Sequence, residues 1–294
     1  MLIRSVIYLY PDIDAAQQGD RSGGTGFIAA VHFSDGRQRP YFLYAITNSH
    51  VVREGHSPIV RINTRTGPAD ILPLGFDCWI HHPDGDDVAV APLGLNSEHD
   101  FAAVSTTMFL LKEHCASLCV APGDDVFFVG RFAEHDGGYV NIPTVRLGNI
   151  AMMPDAPIHH EARGIDVESY LVEGRSLSGY SGSPVFLQIY PLIPRPGIGA
   201  GQLGAGPFLL GIDWCHLASF QPVLEADKET PIAERWYVEQ NSGMMGVVPA
   251  WKILETLNHE GLVNRRKRTE EAWLRDERKP GGVVVDSAET GLDN

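Results

Sequence analysis

Short apolar runs separated by Gly, Pro, Asn or Asp recur along most of the chain. They are RSVIYLY, GTGFIAAVHF, YFLYAITN, DDVAVAPL, DVFFVG, SPVFLQIY, PFLLGIDW and MMGVVPAW. Short runs with turn residues between them favour an antiparallel sandwich or barrel over alternating strands and helices. The pattern therefore predicts an all-β protein.

Helical periodicity is confined to the C-terminal part of the chain. Pro249 is placed to begin a helix in which Ala250, Ile253, Leu254 and Leu257 share one face. Proline is favoured at the first position of a helix, and apolar residues spaced three and four apart mark the buried side. The sequence therefore predicts a closing helix after the last strand.

Three segments lack the spacing of buried strands. Residues 191–207 are rich in Pro and Gly, and residues 216–241 form a long polar insertion. From residue 264 the sequence changes to NRRKRTEEAWLRDERKPGG, which is charged and poor in apolar residues. Such a segment is either a solvated helix or disordered, and we expect a disordered tail over residues 264–294.

Composition and charge narrow the function classes. The chain has 294 residues, 44% of them hydrophobic, which suits one or two domains with an ample core. The formal net charge of −14 argues against general affinity for nucleic acid. No apolar run approaches the length of a membrane span, and the N-terminus has no signal-peptide cleavage pattern. We expect a cytoplasmic protein without a membrane or nucleic-acid partner.

The cysteines and histidines do not form a metal-binding pattern. Cysteines are irregularly spaced at positions 78, 115, 119 and 215. Cys115 and Cys119 either pair, share a metal or stay reduced, and without an export signal we expect buried, reduced thiols. The pairs His81–His82 and His159–His160 point to opposite faces if they lie on strands, and are expected to be surface histidines. GAGQLGAG lacks the Lys-Ser/Thr of a phosphate-binding loop. No metal and no cofactor are predicted.

The octapeptide GYSGSPVF places Ser181 in a glycine-rich turn. Ser181 is either a nucleophile or a small residue that suits a tight turn. A nucleophilic serine needs a base, and His50 follows an apolar strand in YAITNSHVV. It also needs an acid that orients the base, and Asp86 and Asp87 precede an apolar strand in GDDVAVAPL. Each motif alone is weak, but their conjunction supports the nucleophile.

In chain order, GTGF, TNSHVV, DVAV and GYSGSPVF followed by LLGIDW resemble trypsin-like serine peptidases of the chymotrypsin fold. The resemblance is greatest to the bacterial HtrA-type and glutamyl-endopeptidase branches, without a PDZ domain, and covers roughly residues 1–258. It implies two six-stranded antiparallel β-barrels and a C-terminal helix. The first barrel is expected over residues 1–110 and the second, with the closing helix, over residues 111–263.

The resemblance also implies roles for particular residues. Ser181 is the expected nucleophile, His50 the base and Asp87 the acid that orients it. The family pattern selects Asp87 over Asp86 because the acid stands immediately before the apolar pair. The backbone N–H groups of Gly179 and Ser181 are the expected oxyanion hole. Gly179 then needs a backbone conformation that residues with a β-carbon adopt only with strain.

Two departures bear on activation. Tyr180 stands where secreted trypsins carry the aspartate that pairs with a newly cut N-terminus, so no such cleavage is expected. Ser183 replaces the commoner glycine, as it does in the glutamyl-endopeptidase branch, and is compatible with activity.

Substrate preference follows less directly. By resemblance Asp213, Trp214 and Cys215 line the bound substrate, and Arg175 falls near the floor of the specificity pocket. An Asp213 that faces the substrate favours a basic residue before the scissile bond, and this is the specificity that we expect. An Asp213 paired with Arg175 leaves a neutral pocket.

Three functions from different classes remain. The first is a serine endopeptidase acting on a protein or peptide substrate through an acyl-enzyme. The second is a catalytically silent binding protein or scaffold on a peptidase fold. The third is a peptidase switched by a regulatory protein partner. Fold alone does not separate them, because function resides in the site.

Overall fold

A computed structural model describes residues 2–34, 41–132, 137–160, 165–174, 179–190, 195, 206–223 and 236–277. Within these residues the protein is mostly β, and all eight apolar runs named above contain a strand. The helices are α1 (Ile13–Gln18), α2 (Ser49–Val52), α3 (Lys112–Ser117), α4 (Ala250–Leu257) and α5 (Glu260–Glu277).

The first half of the chain forms one eight-stranded sheet. Its strands are β1 (Val6–Tyr10), β2 (Gly24–His32), β3 (Tyr41–Thr47), β4 (Ile59–Ile62), β5 (Asp70–Leu72), β6 (Ile80–His81), β7 (Ala89–Leu93) and β8 (Val104–Ser105). Their order is β5-β4-β1-β2-β3-β7-β6, and β8 pairs with β2. Among the described strands this sheet does not close into the expected first barrel, because its edge strands, of three and two residues, do not pair.

The second half forms a closed barrel in the order β10-β13-β16-β15-β14-β9. The barrel strands are β9 (Asp125–Gly130), β10 (Thr144–Met152), β13 (Tyr170–Glu173), β14 (Pro184–Ile189), β15 (Gly206–Pro222) and β16 (Tyr237–Pro249). Two further strands, β11 (Ile158–His160) and β12 (Ile165–Val167), form a separate two-stranded sheet. This is the six-stranded barrel that the sequence analysis expected.

Strands β15 and β16 continue past the barrel as a two-stranded arm. Gln221 pairs with Val238 and Pro222 with Tyr237. The interval 216–241, which was expected to be a polar insertion, therefore begins and ends in strand. The arm also exposes large apolar side chains, among them Phe220 at 63% and Tyr237 at 58%.

One hydrophobic cluster crosses both halves and positions the site between them. It joins Phe27 and Ile46 of the first sheet to Phe186 and Trp214 of the barrel. Burial at the contact of two sheets is the main favourable contribution to their association. The two halves therefore share a core.

The predicted closing helix is confirmed as α4. Ala250, Ile253 and Leu257 are fully buried, and Pro249 occupies the N-cap. This helix packs against β15 and β7, so it contacts both halves of the molecule.

The expected disordered tail is wrong for residues 264–277, which lie in α5. Arg266 is 8% exposed and donates hydrogen bonds to the Tyr44 hydroxyl and the Leu257 carbonyl. The Trp273 ring meets Phe33 edge to face at 5.7 Å. A few side chains thus hold this helix against the first half of the fold, although its average composition is strongly polar.

Residues 278–294 lie outside the described residues. None of the described helices is long and apolar enough to span a lipid bilayer.

Candidate functional site

The structure brings the side chains of His50 and Asp87 together. The distance from His50 Nδ1 to Asp87 Oδ2 is 2.6 Å, and the His50 backbone N–H donates to Asp87 Oδ1 at 2.9 Å. The carboxylate thus holds both the ring and the backbone of the residue that it orients. An acceptor at Nδ1 places the ring proton there and leaves Nε2 as the basic nitrogen.

The two side chains are buried to different degrees. The Asp87 side chain is 2% exposed, whereas the His50 side chain is 20% exposed. The acid is therefore shielded from water while the histidine ring borders solvent. Asp86 does not contact His50; its carboxylate lies 3.0 Å from Lys252 Nζ.

Local structure explains why these residues meet. Strand β3 ends at Thr47, and the short helix α2 begins two residues later and carries His50. The Asn48 side chain donates to the Asp87 carbonyl at 2.9 Å, which ties the end of β3 to the segment before β7. Since β3 and β7 are paired neighbours, their adjacent ends place the histidine beside the acid.

Ser181 lies on a tight turn built from glycines. Gly179 and Gly182 have φ of +94° and +89°, and the Ser183 N–H donates to the Tyr180 carbonyl at 2.8 Å. The positive φ at Gly179 is the conformation that the oxyanion-hole assignment requires, because residues with a β-carbon rarely adopt it.

The turn is docked onto the first sheet by backbone contacts. The Thr25 N–H donates to the Ser181 carbonyl at 2.8 Å, and the Thr25 hydroxyl donates to the Gly179 carbonyl at 2.6 Å. A β-carbon added to Gly24 would lie 3.0 Å from the Ser181 carbonyl oxygen and 2.9 Å from Val51. The Gly24 backbone therefore packs directly between the Ser181 turn and the helix that carries His50, where there is no room for a side chain.

No hydrogen bond joins the His50 ring to the Ser181 hydroxyl in the part of the chain that the structure describes. Catalytic hydrogen bonds are often long or poorly aligned until substrate is bound. Neither the Gly179 N–H nor the Ser181 N–H donates to another described residue. Both are thus available as oxyanion donors.

Tyr180 anchors the turn on the barrel side. Its ring is fully buried, and its hydroxyl accepts a hydrogen bond from Arg146 Nε at 2.9 Å and bonds to the Thr144 hydroxyl. The Arg146 guanidinium lies 5.0 Å from the centre of the Tyr180 ring. The residue before Ser181 is therefore held by β10.

The residues expected to line the substrate occupy different environments. Arg175 lies outside the described residues. Asp213 is fully buried, and its backbone bonds to the turn through Gly182 and Ser183. Trp214 is 2% exposed, with its indole N–H donating to the Ser169 hydroxyl at 2.9 Å. Cys215 is partly exposed.

The histidine and cysteine expectations need correction. The His82 side chain, which follows β6, is fully buried rather than on the surface, because it packs between the carboxylates of Glu255 in α4 and Asp86. No disulfide joins any of the four cysteines, but Cys78 is exposed and the others are only partly buried. Among the described residues no cluster of His, Cys, Asp and Glu is arranged to hold a metal ion.

Several supporting residues were missed from the sequence. Thr25 lies inside the quoted motif GTGF, yet the docking role of its hydroxyl was not anticipated. Asn48 lies two positions before His50, and an Asn before a helix start was an available signal. The pairing of Tyr180 with Arg146 joins residues far apart in sequence and had no local signal.

We expect Gly182→Ala to unfold the turn. A β-carbon there would lie 1.9 Å from the Thr25 carbonyl oxygen and 2.5 Å from the Thr47 hydroxyl, in a backbone with φ of +89°. Steric overlap and a positive φ together should cost about 3 kcal/mol or more of unfolding free energy. Urea unfolding measures the loss. Gly67→Ala is the matched control, because its φ is +95° but nothing lies within 4 Å of the added carbon. Equal losses in both variants would contradict the close approach of the turn to Thr25.

We expect stability to fall with acid in part through His81. Burial, and then the charge of Arg53, lowers the pKa of His81, whose Nδ1 hydrogen-bonds to the Ser49 hydroxyl at 2.8 Å. Because the folded-state pKa lies below 6.5, the ordinary value of a histidine, the stabilisation is present above that pH and is lost as the pH falls through the lower value. Urea midpoints at neutral and mildly acidic pH should therefore differ less in His81→Gln than in the wild type. The same pH dependence in both proteins would exclude His81.

Comparisons with known proteins bear on the fold. The MamO protease domain from Magnetospirillum magneticum, in its apo form, is similar with a TM-score of 0.50 and 18% identity, over 88% of this chain and 98% of that one. The chain has a chymotrypsin-like double-barrel fold. An inactive-form mutant of Rv3671c from M. tuberculosis H37Rv matches with a TM-score of 0.40 and 15% identity, over 87% of each chain.

The predicted fold class is confirmed: a mostly β double-barrel architecture in which one barrel closes, with a C-terminal helix. No protein-family model and no curated protein matches the chain. Identities this low show the fold alone, so the chemistry has to be argued from the site.

Proposed function

We propose that this protein is a serine endopeptidase in which Ser181, His50 and Asp87 act as a triad. The observation that carries the proposal is the buried Asp87 carboxylate, which engages both the ring and the backbone N–H of His50. That contact fixes the tautomer a base needs. The double-barrel fold and the glycine turn at Ser181 are further support.

In the proposed reaction the Ser181 hydroxyl oxygen attacks the carbonyl carbon of the scissile peptide. Its proton passes to His50 Nε2, and the imidazolium is stabilised by Asp87. The N–H groups of Gly179 and Ser181 stabilise the oxyanion of the tetrahedral intermediate. His50 then gives the proton to the leaving amine, and the C–N bond breaks to give an acyl-enzyme.

The second half of the reaction returns the enzyme to its starting state. His50 removes a proton from a water molecule that attacks the acyl carbon. Collapse of the second tetrahedral intermediate breaks the ester bond and returns the proton to Ser181. The products are a new carboxyl terminus and the amine released earlier.

A serine-directed fluorophosphonate tests the proposal. The wild type should become covalently labelled, and mass spectrometry of the digest should locate the label on Ser181. His50→Ala should label far more slowly, because the hydroxyl then has no base. A folded wild type that remains unlabelled would refute an endopeptidase that acts without a partner.

A catalytically silent scaffold is the second candidate. It is favoured by the missing hydrogen bond between His50 and Ser181 among the described residues. The same probe separates the two functions, since a scaffold with an unactivated serine should not react. Labelling only after a partner protein is added would instead favour a peptidase that is regulated in trans.

For substrate preference we propose a neutral specificity pocket rather than one that binds a basic side chain. The complete burial of Asp213 supports this choice, because a buried carboxylate needs compensation within the protein and is poorly placed to bind a substrate cation. A peptide library should then be cut best after small or apolar residues by both the wild type and Asp213→Asn. A preference for Arg or Lys that is lost in Asp213→Asn would overturn it.

A further inference from the structure

An ion-pair cluster connects helix α4 to the segment that carries Asp87. Lys252 Nζ lies 3.0 Å from Asp86 Oδ2, and these side chains are 15% and 14% exposed. The same ammonium lies 3.5 Å from Glu255 and 3.6 Å from Glu168. Partial burial makes such a pair less screened than a surface ion pair. Lys252 therefore links helix α4, to which it belongs, to Asp86 in the first half of the fold and to Glu168 in the second.

His82 closes the cluster from the other side. Its side chain is fully buried, and Nε2 lies 2.9 Å from Glu255 Oε2. The Asp84 N–H donates to His82 Nδ1 at 3.2 Å, and the same ring nitrogen lies 3.4 Å from Asp86 Oδ2. The segment before Asp87 is thus attached to α4 at two places, through His82 and through Asp86.

Backbone contacts carry this attachment to Asp87. The Val88 N–H donates to the Asp86 carbonyl at 2.7 Å, which makes a tight turn with Asp87 at its centre. The His82 N–H donates to the Val88 carbonyl at 3.0 Å and closes the segment. A displacement of Asp86 would therefore move the backbone of Asp87, whose carboxylate lies 2.6 Å from His50 Nδ1.

We propose that Lys252 is a positioning residue, which fixes Asp87 against His50 by holding the Asp86 carboxylate to helix α4. The expected effect of Lys252 on kcat rests on the proposed function, whereas its effect on the contact between Asp87 and His50 does not. It gives Asp86 a role distinct from that of Asp87, and it makes α4 part of the support of the site. Lys252 itself touches neither the proposed nucleophile nor the proposed base.

Electrostatics supports a permanently charged Lys252. Burial by itself lowers the pKa of Lys252, but the hydrogen bond and charge of Asp86, with the charges of Glu255 and Glu168, outweigh it and raise the pKa. The ammonium stays protonated wherever a histidine base operates. The pair with Asp86 therefore persists over the working range of pH.

The experiment compares lysine variants at two ends of the same cluster. Lys252→Met removes the charge and keeps the length of the side chain, and we expect kcat to fall roughly ten- to a hundredfold with KM nearly unchanged. Lys252→Arg should recover most of the rate, because it restores a cation beside Asp86. Lys112→Met is the control, since Lys112 Nζ pairs with Glu168 at 2.7 Å, does not contact Asp86, and is 63% exposed. Its kcat should equal that of the wild type.

A readout that needs no hydrolysis separates this inference from the proposed function. The proton on His50 Nδ1, shared with Asp87, should give a downfield NMR resonance in the wild type and in Lys112→Met. Lys252→Met should shift or broaden that resonance. If Lys252→Met does not fold, Asp86→Asn, which keeps the size of the side chain, should give the same change.

The outcomes assign success and failure separately. An unchanged resonance and an unchanged kcat in folded Lys252→Met, or an equal loss of kcat in Lys112→Met, would overturn the positioning role. A wild type without hydrolysis or labelling, whose His50 resonance nevertheless responds to Lys252→Met, would refute the endopeptidase and leave the positioning role intact.

Discussion

Ser181→Ala should lower the rate of peptide hydrolysis by roughly 10⁴-fold or more, because it removes the atom that forms the acyl-enzyme. Folding should be almost unchanged, since the turn is fixed by backbone contacts of Ser181 and Gly179 to Thr25, not by the Ser181 hydroxyl. The measurement is steady-state hydrolysis of a peptide that the wild type cleaves, with thermal unfolding of both proteins.

Ser183→Ala is the control for this prediction. It removes a hydroxyl two positions later in the same turn, which is buried and has no hydrogen-bond partner among the described groups. Loss of such a group should be neutral or slightly stabilising, and the rate should stay near that of the wild type. Wild-type activity in Ser181→Ala would assign hydrolysis to another residue or to a contaminant.

Asp87→Asn should lower kcat by about 10⁴-fold while the fold persists. An asparagine accepts a hydrogen bond from the His50 backbone as Asp87 Oδ1 does, but its NH₂ then faces His50 Nδ1. A donor there forces the ring proton onto Nε2, and His50 no longer has the lone pair that takes the Ser181 proton. Hydrolysis and circular dichroism of the variant test both parts.

Asp84→Asn controls for the loss of a carboxylate from the same segment. Asp84 is exposed and should be replaceable without a kinetic effect. Comparable losses of kcat in Asp84→Asn and Asp87→Asn would indicate a general electrostatic effect instead of a tautomer defect. An active Asp87→Asn would remove the orienting acid from the mechanism.

The sequence by itself predicted eight of the sixteen described strands, the fold class and the candidate residues. Every predicted apolar run contains a strand, and α4 begins where Pro249 suggested. These features are local: alternation, turn residues and helical spacing depend on neighbours in the chain. The order of the quoted motifs carried the rest, because it resembles one fold that the structural comparison then supported.

Only the tertiary structure decided how those elements are supported. The charged composition after residue 264 predicted disorder, but Arg266 and Trp273 attach α5 to the first sheet through Tyr44 and Phe33. Two anchoring side chains hardly change the average polarity of an 18-residue helix, so no local sequence pattern reveals them. The missing closure of the first sheet depends likewise on how its short edge strands are placed.

The site shows the same division. The family pattern favoured Asp87 over Asp86, but the proposed role of Asp86 depends on Lys252, which lies 3.0 Å from it and more than 160 positions away in the sequence. Burial of His82 and Asp213 was equally hidden, because a polar residue carries no local mark of the partners that compensate its burial. Local sequence determines which chemistry a strand end can offer; long-range packing decides which groups meet, because such contacts join residues that have no relation along the chain.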